Sequence, residues 1–164
     1  MIYLIRHLNN FRSKYLSISI TFQKRFNSII EESDYNRREL AKAIPLSQST
    51  LSNALTYGII PSTKTLVKIA DFFDISINFL LGKTDNEVFY KSSSPDSFLT
   101  RFESLCSEKE VTHYKVAADC LFDKSNISRW ISKGFLPELE ILELLCDYFN
   151  VSIDYLLGRT DYKD

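Results

Sequence analysis

Two segments of this 164-residue chain, residues 22–85 and 98–161, align with each other at an offset of 76 and without a gap. The residues are identical at 20 of the 64 aligned positions. An internal repeat constrains the fold more than any single element, because each copy has to form the same structural unit. The sequence therefore predicts two similar domains, and differences between counterparts help to separate core positions from functional ones.

The repeat divides the chain into five segments. These are an N-terminal extension at 1–21, a first domain at 22–85, a linker at 86–97, a second domain at 98–161 and a tail at 162–164. The sequence of the extension is compatible with an extra helix or strand and equally with a flexible arm. Within the linker, Val88, Phe89 and Tyr90 are candidates to pack onto a repeat.

Each repeat has the pattern of five short helices. Apolar residues recur at helical spacing, as at Leu66, Ile69, Ala70 and Phe73, and the second copy keeps that spacing. Glycine and then proline follow the third helix in both copies. No strand-like alternation occurs outside possible fragments in the extension, so we predict an all-α fold.

The net charge of the chain is −1, which excludes a uniformly basic nucleic-acid binder. The first repeat carries +1 and the second −4. No apolar run reaches the roughly 18–20 residues that span a membrane, and the N-terminus lacks a signal-peptide pattern. We therefore expect a cytoplasmic location and no membrane partner.

Residues 38–53 have the pattern of a helix-turn-helix. A short helix ends near Ile44, a three-residue turn follows, and Ser47 is placed to cap a second helix. In that second helix Leu51 and Leu55 are predicted to point inward. The predicted outward residues are Gln48, Ser49, Ser52 and Asn53.

The second repeat has the same pattern, with Asp123 as the cap. Ile127 and Ile131 are predicted to point inward. The predicted outward residues are Lys124, Ser125, Ser128 and Arg129. A solvated face would account for polarity alone, whereas amides and a guanidinium group are the side chains that read base edges in a major groove.

These segments resemble the Cro/repressor-type (XRE) helix-turn-helix domains of phage and bacterial regulators. The strongest elements are Glu-Leu-Ala at 39–41, Ser-Asn-Ile-Ser-Arg-Trp at 125–130, and the shared Ser-Ile-x-x-Leu-Leu-Gly-x-Thr-Asp endings. The resemblance implies two tandem five-helix lambda-repressor-like domains that bind double-stranded DNA. We predict a sequence-specific transcriptional repressor that uses two non-identical domains as a covalent pseudo-dimer.

The resemblance also implies site residues. The start of each third helix is implied to read bases, through Gln48, Ser49, Asn53, Lys124, Ser125 and Arg129. The implied phosphate contacts are Asn36, Arg37, Thr112, His113 and Lys133.

Three departures from the family generate further expectations. Pro45 and Leu121 stand where the family has a turn glycine, so a remodelled turn is expected in repeat 1. Apolar pairs, Ile30 with Leu55 and Cys106 with Ile131, replace a buried Arg–Glu ion pair. Trp130 replaces the Ala54 of repeat 1, either to fill the core or to make a DNA or partner contact.

The loops after the third helices suggest an alternative. Ile59, Ile60, Phe135 and Leu136 occupy positions where the family has polar residues facing phosphates. They either fold back over the core or form a surface that contacts the other repeat, a second copy of this chain or a partner protein. The alternative function is a helix-turn-helix scaffold that binds protein, as an antirepressor or nuclease inhibitor, or that binds DNA with repeat 1 and protein with repeat 2.

Catalysis is not indicated. Cys106, Cys120 and Cys146 have apolar counterparts in repeat 1 and match no zinc-binding spacing, so we expect them to be core residues. The two histidines, His7 and His113, support no nucleophile–base arrangement. We therefore expect no enzyme activity, no cofactor and no metal site.

Overall fold

The computed structural model describes residues 17–163, so the extension is described only from residue 17 onward. Within this range it contains ten helices and no strand, which confirms the all-α prediction. In chain order these are α1 Ile20–Glu31, α2 Arg37–Ala43, α3 Gln48–Tyr57, α4 Thr63–Phe73, α5 Ile77–Leu80, α6 Phe98–Glu108, α7 His113–Asp119, α8 Ser125–Lys133, α9 Leu139–Phe149 and α10 Ile153–Leu156.

The five helices predicted for each repeat are all present. Helices α2, α4 and α5 begin and end at the counterparts of the residues that bound α7, α9 and α10. The caps also repeat, because Ser76 and Ser152 each accept a hydrogen bond at 3.2 Å from the N–H three residues on. Local sequence therefore sets the same bounds for these three helices in both copies.

The described chain divides into two units, with the boundary between Ile60 and Pro61. Unit 1 ends at Ile60 and contains α1 to α3, and unit 2 begins at Pro61 and contains α4 to α10. This boundary lies inside the first predicted domain. The domain limits 22–85 and 98–161 therefore stay a prediction that rests on the repeat.

In unit 1, α1 and α2 both pack against α3. Phe22 and Phe26 of α1 are fully buried, with ring centroids 5.7 Å apart. Ser19 caps the start of α1, and its hydroxyl oxygen accepts the Phe22 N–H at 3.2 Å. The unit thus places α3 between two helices that bury its apolar side.

Unit 2 joins α4 and α5 of the first repeat to the whole of the second repeat. Its core runs from Ala70 and Ile77 through the buried residues of α6 to α10. Helix α5 packs on α10, and the Thr63 hydroxyl donates to the Pro137 carbonyl at 2.7 Å. The end of the first repeat is therefore buried against the second.

The linker runs along the C-terminal end of repeat 2. The Arg159 guanidinium lies 4.7 Å from the Phe89 ring centroid, and the rings of Tyr90 and Tyr162 are 5.6 Å apart. The prediction that the linker packs onto a repeat is confirmed for Phe89. It is wrong for Val88, which is 58% exposed, and for Tyr90, which is 64% exposed and contacts the tail rather than a repeat.

A carboxylate is buried where α5 meets α10. Asp154 of α10 is 2% exposed and accepts hydrogen bonds from three groups at the start of α5. These are the Ser76 hydroxyl at 2.8 Å and the N–H groups of Ile77 at 2.9 Å and Asn78 at 3.3 Å. The first N–H groups of a helix have no partner within it, so Asp154 caps α5 from another helix.

Arg159 completes this buried cluster. Its guanidinium pairs with Asp154, donates to the Asp71 carboxylate at 2.9 Å, and donates to the Ile75 carbonyl at 2.9 Å. Arg159 is 6% exposed. A buried charge is tolerated only when it is paired and hydrogen-bonded, and both conditions are met here.

The three cysteines are buried, as expected of core residues. Burial raises the pKa of Cys106 and Cys120 to about 11, and that of Cys146 to about 12. The thiols therefore stay protonated and unreactive near neutral pH.

We predict that Asp154→Ala lowers the free energy of unfolding by about 3–5 kcal/mol, because it leaves Arg159 buried without its main partner. Urea denaturation followed by circular dichroism measures this change. Asp161→Ala is the matched control, since Asp161 pairs with Arg101 at 2.7 Å but is 57% exposed at its side chain. That control should cost less than about 1 kcal/mol. Equal losses in the two variants would show that the buried cluster has no special role.

Candidate nucleic-acid interface

The helix-turn-helix of unit 1 begins with a doubly capped α2. The Asn36 side-chain oxygen accepts the N–H groups of Arg38 and Glu39, each at 3.0 Å. The Glu39 carboxylate accepts the Asn36 N–H at 3.0 Å in return. This reciprocal cap fixes the first turn, from which Arg37 and Arg38 project as exposed side chains.

The turn after the second helix keeps one backbone hydrogen bond in both repeats. The Leu46 N–H donates to the Ala41 carbonyl at 2.9 Å, and the Phe122 N–H donates to the Ala117 carbonyl at 3.1 Å. The expectation of a remodelled turn in repeat 1 is met in part, because the backbone bond is kept while the φ of Pro45 differs from that of its counterpart Leu121. The φ of Pro45 is +23°, far from the value near −65° that its ring favours, so the turn is strained.

Leu121, the counterpart of Pro45 in repeat 2, adopts the left-handed conformation, with a φ of +58°. Both residues thus take the positive φ that glycine usually supplies at this turn. A positive φ is therefore preserved at this position of the turn, although neither repeat has a glycine there.

Helix α3 separates an apolar side from a polar edge. Leu51, Ala54 and Leu55 are buried, as predicted for Leu51 and Leu55. The predicted outward residues Gln48, Ser49, Ser52 and Asn53 are all exposed. The Ser47 hydroxyl oxygen accepts the Thr50 N–H at 3.0 Å, which confirms the predicted cap.

Two amide side chains of α1 position the end of α3. Gln23 donates to the carbonyls of Leu55 at 3.1 Å and Thr56 at 2.7 Å, and Asn27 donates to the Leu55 carbonyl at 3.0 Å. We did not predict this role from the sequence. The available signal was the contrast between copies, since repeat 2 has Leu99 and Glu103 at these positions and neither is an amide.

The helix-turn-helix of unit 2 uses different caps. The Thr112 hydroxyl oxygen accepts the Lys115 N–H at 3.2 Å at the start of α7. The Asp123 carboxylate accepts the Ser125 N–H at 2.7 Å, and this bond lowers the pKa of Asp123. The start of α8 is therefore fixed by a charged acceptor rather than by a serine. The N-cap residue of α8 is Lys124, one residue after the predicted cap Asp123, so that part of the prediction is wrong.

Trp130 lies on the buried side of α8 and packs into the core. It is 3% exposed, and its ring lies 5.3 Å from Phe98, 5.8 Å from Phe102 and 5.6 Å from Phe122. Of the two alternatives for Trp130, core filling is therefore the one observed.

The prediction that Ile131 points inward is wrong. Ile131 is 48% exposed, whereas its counterpart Leu55 is 3% exposed. The physical reason is volume, because the Trp130 indole fills the space that Ala54 leaves open in repeat 1. Cys106 is buried as expected, but Ile131 is not buried beside it.

Three basic side chains of this segment lie beside exposed aromatic rings. The Lys124 ammonium is 5.7 Å from the Tyr114 ring centroid. The Arg129 guanidinium is 5.5 Å, and the Lys133 ammonium 5.9 Å, from the Phe135 ring centroid. Such contacts orient the cations while leaving them without a carboxylate partner in residues 17–163.

A shallow groove of about 380 Å³ runs between the starts of α7 and α8. His113 and Tyr114 line it from α7, and Lys124, Ser125 and Ser128 line it from the other side. The groove therefore brings together two predicted base contacts, Lys124 and Ser125, with one predicted phosphate contact.

Several predicted phosphate contacts already have structural roles. Asn36 and Thr112 cap helices, and the half-buried His113 ring lies 5.2 Å from the Phe102 ring. Arg37 and Lys133 are exposed. The assignments of all fifteen site residues to DNA or protein contacts stay predictions.

A family model described as helix-turn-helix matches residues 28–80. The match covers the end of α1 and all of α2 to α5, and it suggests a DNA-binding regulator of the XRE type. No curated protein and no solved structure matches the chain.

Residues 17–163 contain neither a membrane-spanning helix nor a metal-binding cluster. No helix in 17–163 is long and apolar enough to cross a membrane. No group of three or more His, Cys, Asp or Glu side chains in the same range could hold a metal ion.

We predict that Asn36→Ala lowers the free energy of unfolding by about 1 kcal/mol, because α2 loses its cap. Asn36→Asp is the matched control, since its carboxylate keeps the cap but adds a negative charge. The control should retain stability yet weaken binding to duplex DNA if position 36 faces a phosphate. Thermal melts and DNA titrations of both variants separate the two roles, and unchanged DNA affinity in Asn36→Asp would remove position 36 from the interface.

Proposed function

We propose that this protein is a sequence-specific DNA-binding transcriptional repressor that uses two non-identical helix-turn-helix segments as a covalent pseudo-dimer. The proposal includes no catalytic role and no cofactor. The observation that supports it is the exposed polar edge of α3, which lies within the segment that the helix-turn-helix family model matches. The Ser47 cap and the buried apolar side of α3 fix the position of this edge.

The chemistry of that edge suits base reading. Helix α3 contains no charged residue, so no carboxylate on it repels DNA. Gln48 and Asn53 present amides, which pair with the donor and acceptor of adenine. Arg37 and Arg38 precede this edge on α2 and suit phosphate contacts.

Repeat 2 supplies a second edge of different chemistry. Lys124 and Arg129 present cationic donors that suit the two acceptors of guanine. The acidic residues Glu138, Glu140 and Glu143 lie on α9 or immediately before it rather than on α8, which carries no acidic residue. The local charge of α8 is therefore basic although the repeat is acidic.

The basic side chains of both segments are available to phosphates and bases. Within the described chain, six of them form no ion pair: Arg37, Arg38, Lys42, Lys124, Arg129 and Lys133. Neutralisation of phosphates by such groups supplies much of the binding free energy in this class of complex.

The presence of two recognition helices on one chain affects the symmetry of the DNA target site. Once one segment has bound, the linkage raises the effective concentration of the other at a nearby half-site. Because α3 and α8 differ in their outward residues, we predict an asymmetric target rather than a palindrome. Selection of bound duplexes from a random pool measures this. Recovery of perfect palindromes alone would contradict the two-reader mechanism.

On the selected duplex we predict that Arg129→Ala weakens binding by about 1–3 kcal/mol and relaxes the preference at one base pair. Arg37→Ala should instead weaken binding to all sequences to a similar degree and reduce the salt dependence of the affinity by about one unit of slope.

Titrations at several salt concentrations test both variants. Lys64→Ala is the control, since Lys64 is an exposed cation on α4, outside the helix-turn-helix. Affinity that is independent of salt, or equal losses in all three variants, would overturn the proposed function.

A further inference from the structure

The loop after the third helix is closed in repeat 1. Residues 17–19 lie along it as an extended segment, with an antiparallel bridge between Ile18 and Ile59. The Ser19 N–H donates to the Gly58 carbonyl at 2.9 Å, and the Ile60 N–H donates to the Ser17 carbonyl at 2.8 Å. The approach is close, because a Cβ on Gly58 would lie 2.6 Å from the Ser19 carbonyl oxygen.

The same loop is open in repeat 2. The Gly134 carbonyl and the Leu136 N–H, which are the counterparts of the bonded groups, make no hydrogen bond within residues 17–163. A Cβ on Gly134 would meet no atom within 4 Å. Phe135, the counterpart of Ile59, is 47% exposed. An unpaired backbone edge of this kind is a template for another extended segment.

The sequence explains why the chain does not close this loop itself. The counterparts of Ser17, Ile18 and Ser19 are Ser93, Ser94 and Pro95. Proline has no N–H to donate to the Gly134 carbonyl, and serine replaces the isoleucine of the bridge.

The linker is also held elsewhere. The Ser92 N–H donates to the Arg159 carbonyl at 2.8 Å, and the Asp96 backbone packs directly against Gly158. These contacts fix both sides of residues 93–95 along the C-terminal end of repeat 2. The edge at 134–136 is thus left for a segment from another molecule.

Two positive charges lie beside the unpaired backbone at 134–136, and they indicate the charge of the segment that would bind there. Arg129 and Lys133 both lie over the Phe135 ring, at 5.5 Å and 5.9 Å from its centroid. Neither pairs with a carboxylate among the described residues. An acidic segment would complement these two cations.

We propose that residues 134–136 bind an extended acidic segment of a partner protein by backbone pairing. The segment donates an N–H to the Gly134 carbonyl and accepts the Leu136 N–H, as Ser19 and Ser17 do in repeat 1. Its aliphatic side chain packs on Phe135, and its carboxylates meet Arg129 and Lys133. This activity is independent of the proposed DNA binding, although a bound segment would compete with DNA for Arg129 if both occur.

The test uses a synthetic peptide in which Ser-Ile-Ser is flanked on each side by two glutamates. The peptide is titrated into the full chain and followed by NMR. The expected result is saturable binding with shifts and slowed exchange at the Leu136 amide. The Ile60 amide, already bonded to Ser17, should not change. This internal control comes from the repeat itself.

Two altered peptides isolate the two recognition elements. Replacing the second serine by proline removes the donor to Gly134, as Pro95 does in the linker, and should weaken binding about fivefold. Replacing the glutamates by lysines should weaken binding further, because the cations beside Phe135 then repel the peptide.

Protein variants complete the test. Lys133→Glu should weaken binding of the acidic peptide, whereas Lys64→Glu should leave it unchanged. Equal binding of the serine and proline peptides, or no change at the Leu136 amide, would overturn the proposal. So would slowed exchange at Leu136 produced by random duplex DNA and not by the peptide, because the loop would then be a phosphate contact.

Discussion

Unit 2 depends on a single buried carboxylate. Asp154 caps α5 from α10 and is neutralised by Arg159, so the end of repeat 1 is joined to repeat 2 by charge-assisted hydrogen bonds that water cannot replace. The counterpart of Asp154 is Asn78, whose side-chain oxygen is buried without a hydrogen-bond partner. The counterpart of Arg159 is Lys83, which pairs with Glu143 in a half-exposed contact. The equivalent helices α5 and α10 thus meet through an ionic cluster whose buried charges, Asp154 and Arg159, both come from repeat 2.

A few substitutions distinguish the two helix-turn-helix segments, although their helices occupy nearly the same positions. Trp130 in place of Ala54 fills the core with an indole and leaves Ile131 exposed. Gln23 and Asn27 hold the end of α3 by hydrogen bonds that their counterparts do not make with α8. Such changes alter the surface that each segment presents without altering the fold, which is how one motif can acquire two specificities.

Much of the site was predictable because its determinants are local. The helical period, the Ser47 cap and the polar edge of α3 all follow from residues within one or two turns. The exposed position of Ile131 was not predictable from pattern alone, since it depends on three aromatic rings from two other segments around Trp130. The capping roles of Asn36 and Thr112 were readable from the sequence, yet the resemblance directed attention to phosphates instead.

The sequence by itself determined the repeat, the all-helical class and nearly every helix bound, because propensity, capping and periodicity act over a few residues. Only the tertiary structure decided where the packing divides, which loop is closed and which polar groups are buried. These outcomes depend on contacts between residues far apart in the chain, such as Ser76 with Asp154 and Ile18 with Ile59. Side-chain volume and backbone pairing partners are set by the assembled neighbours, and no local pattern encodes them.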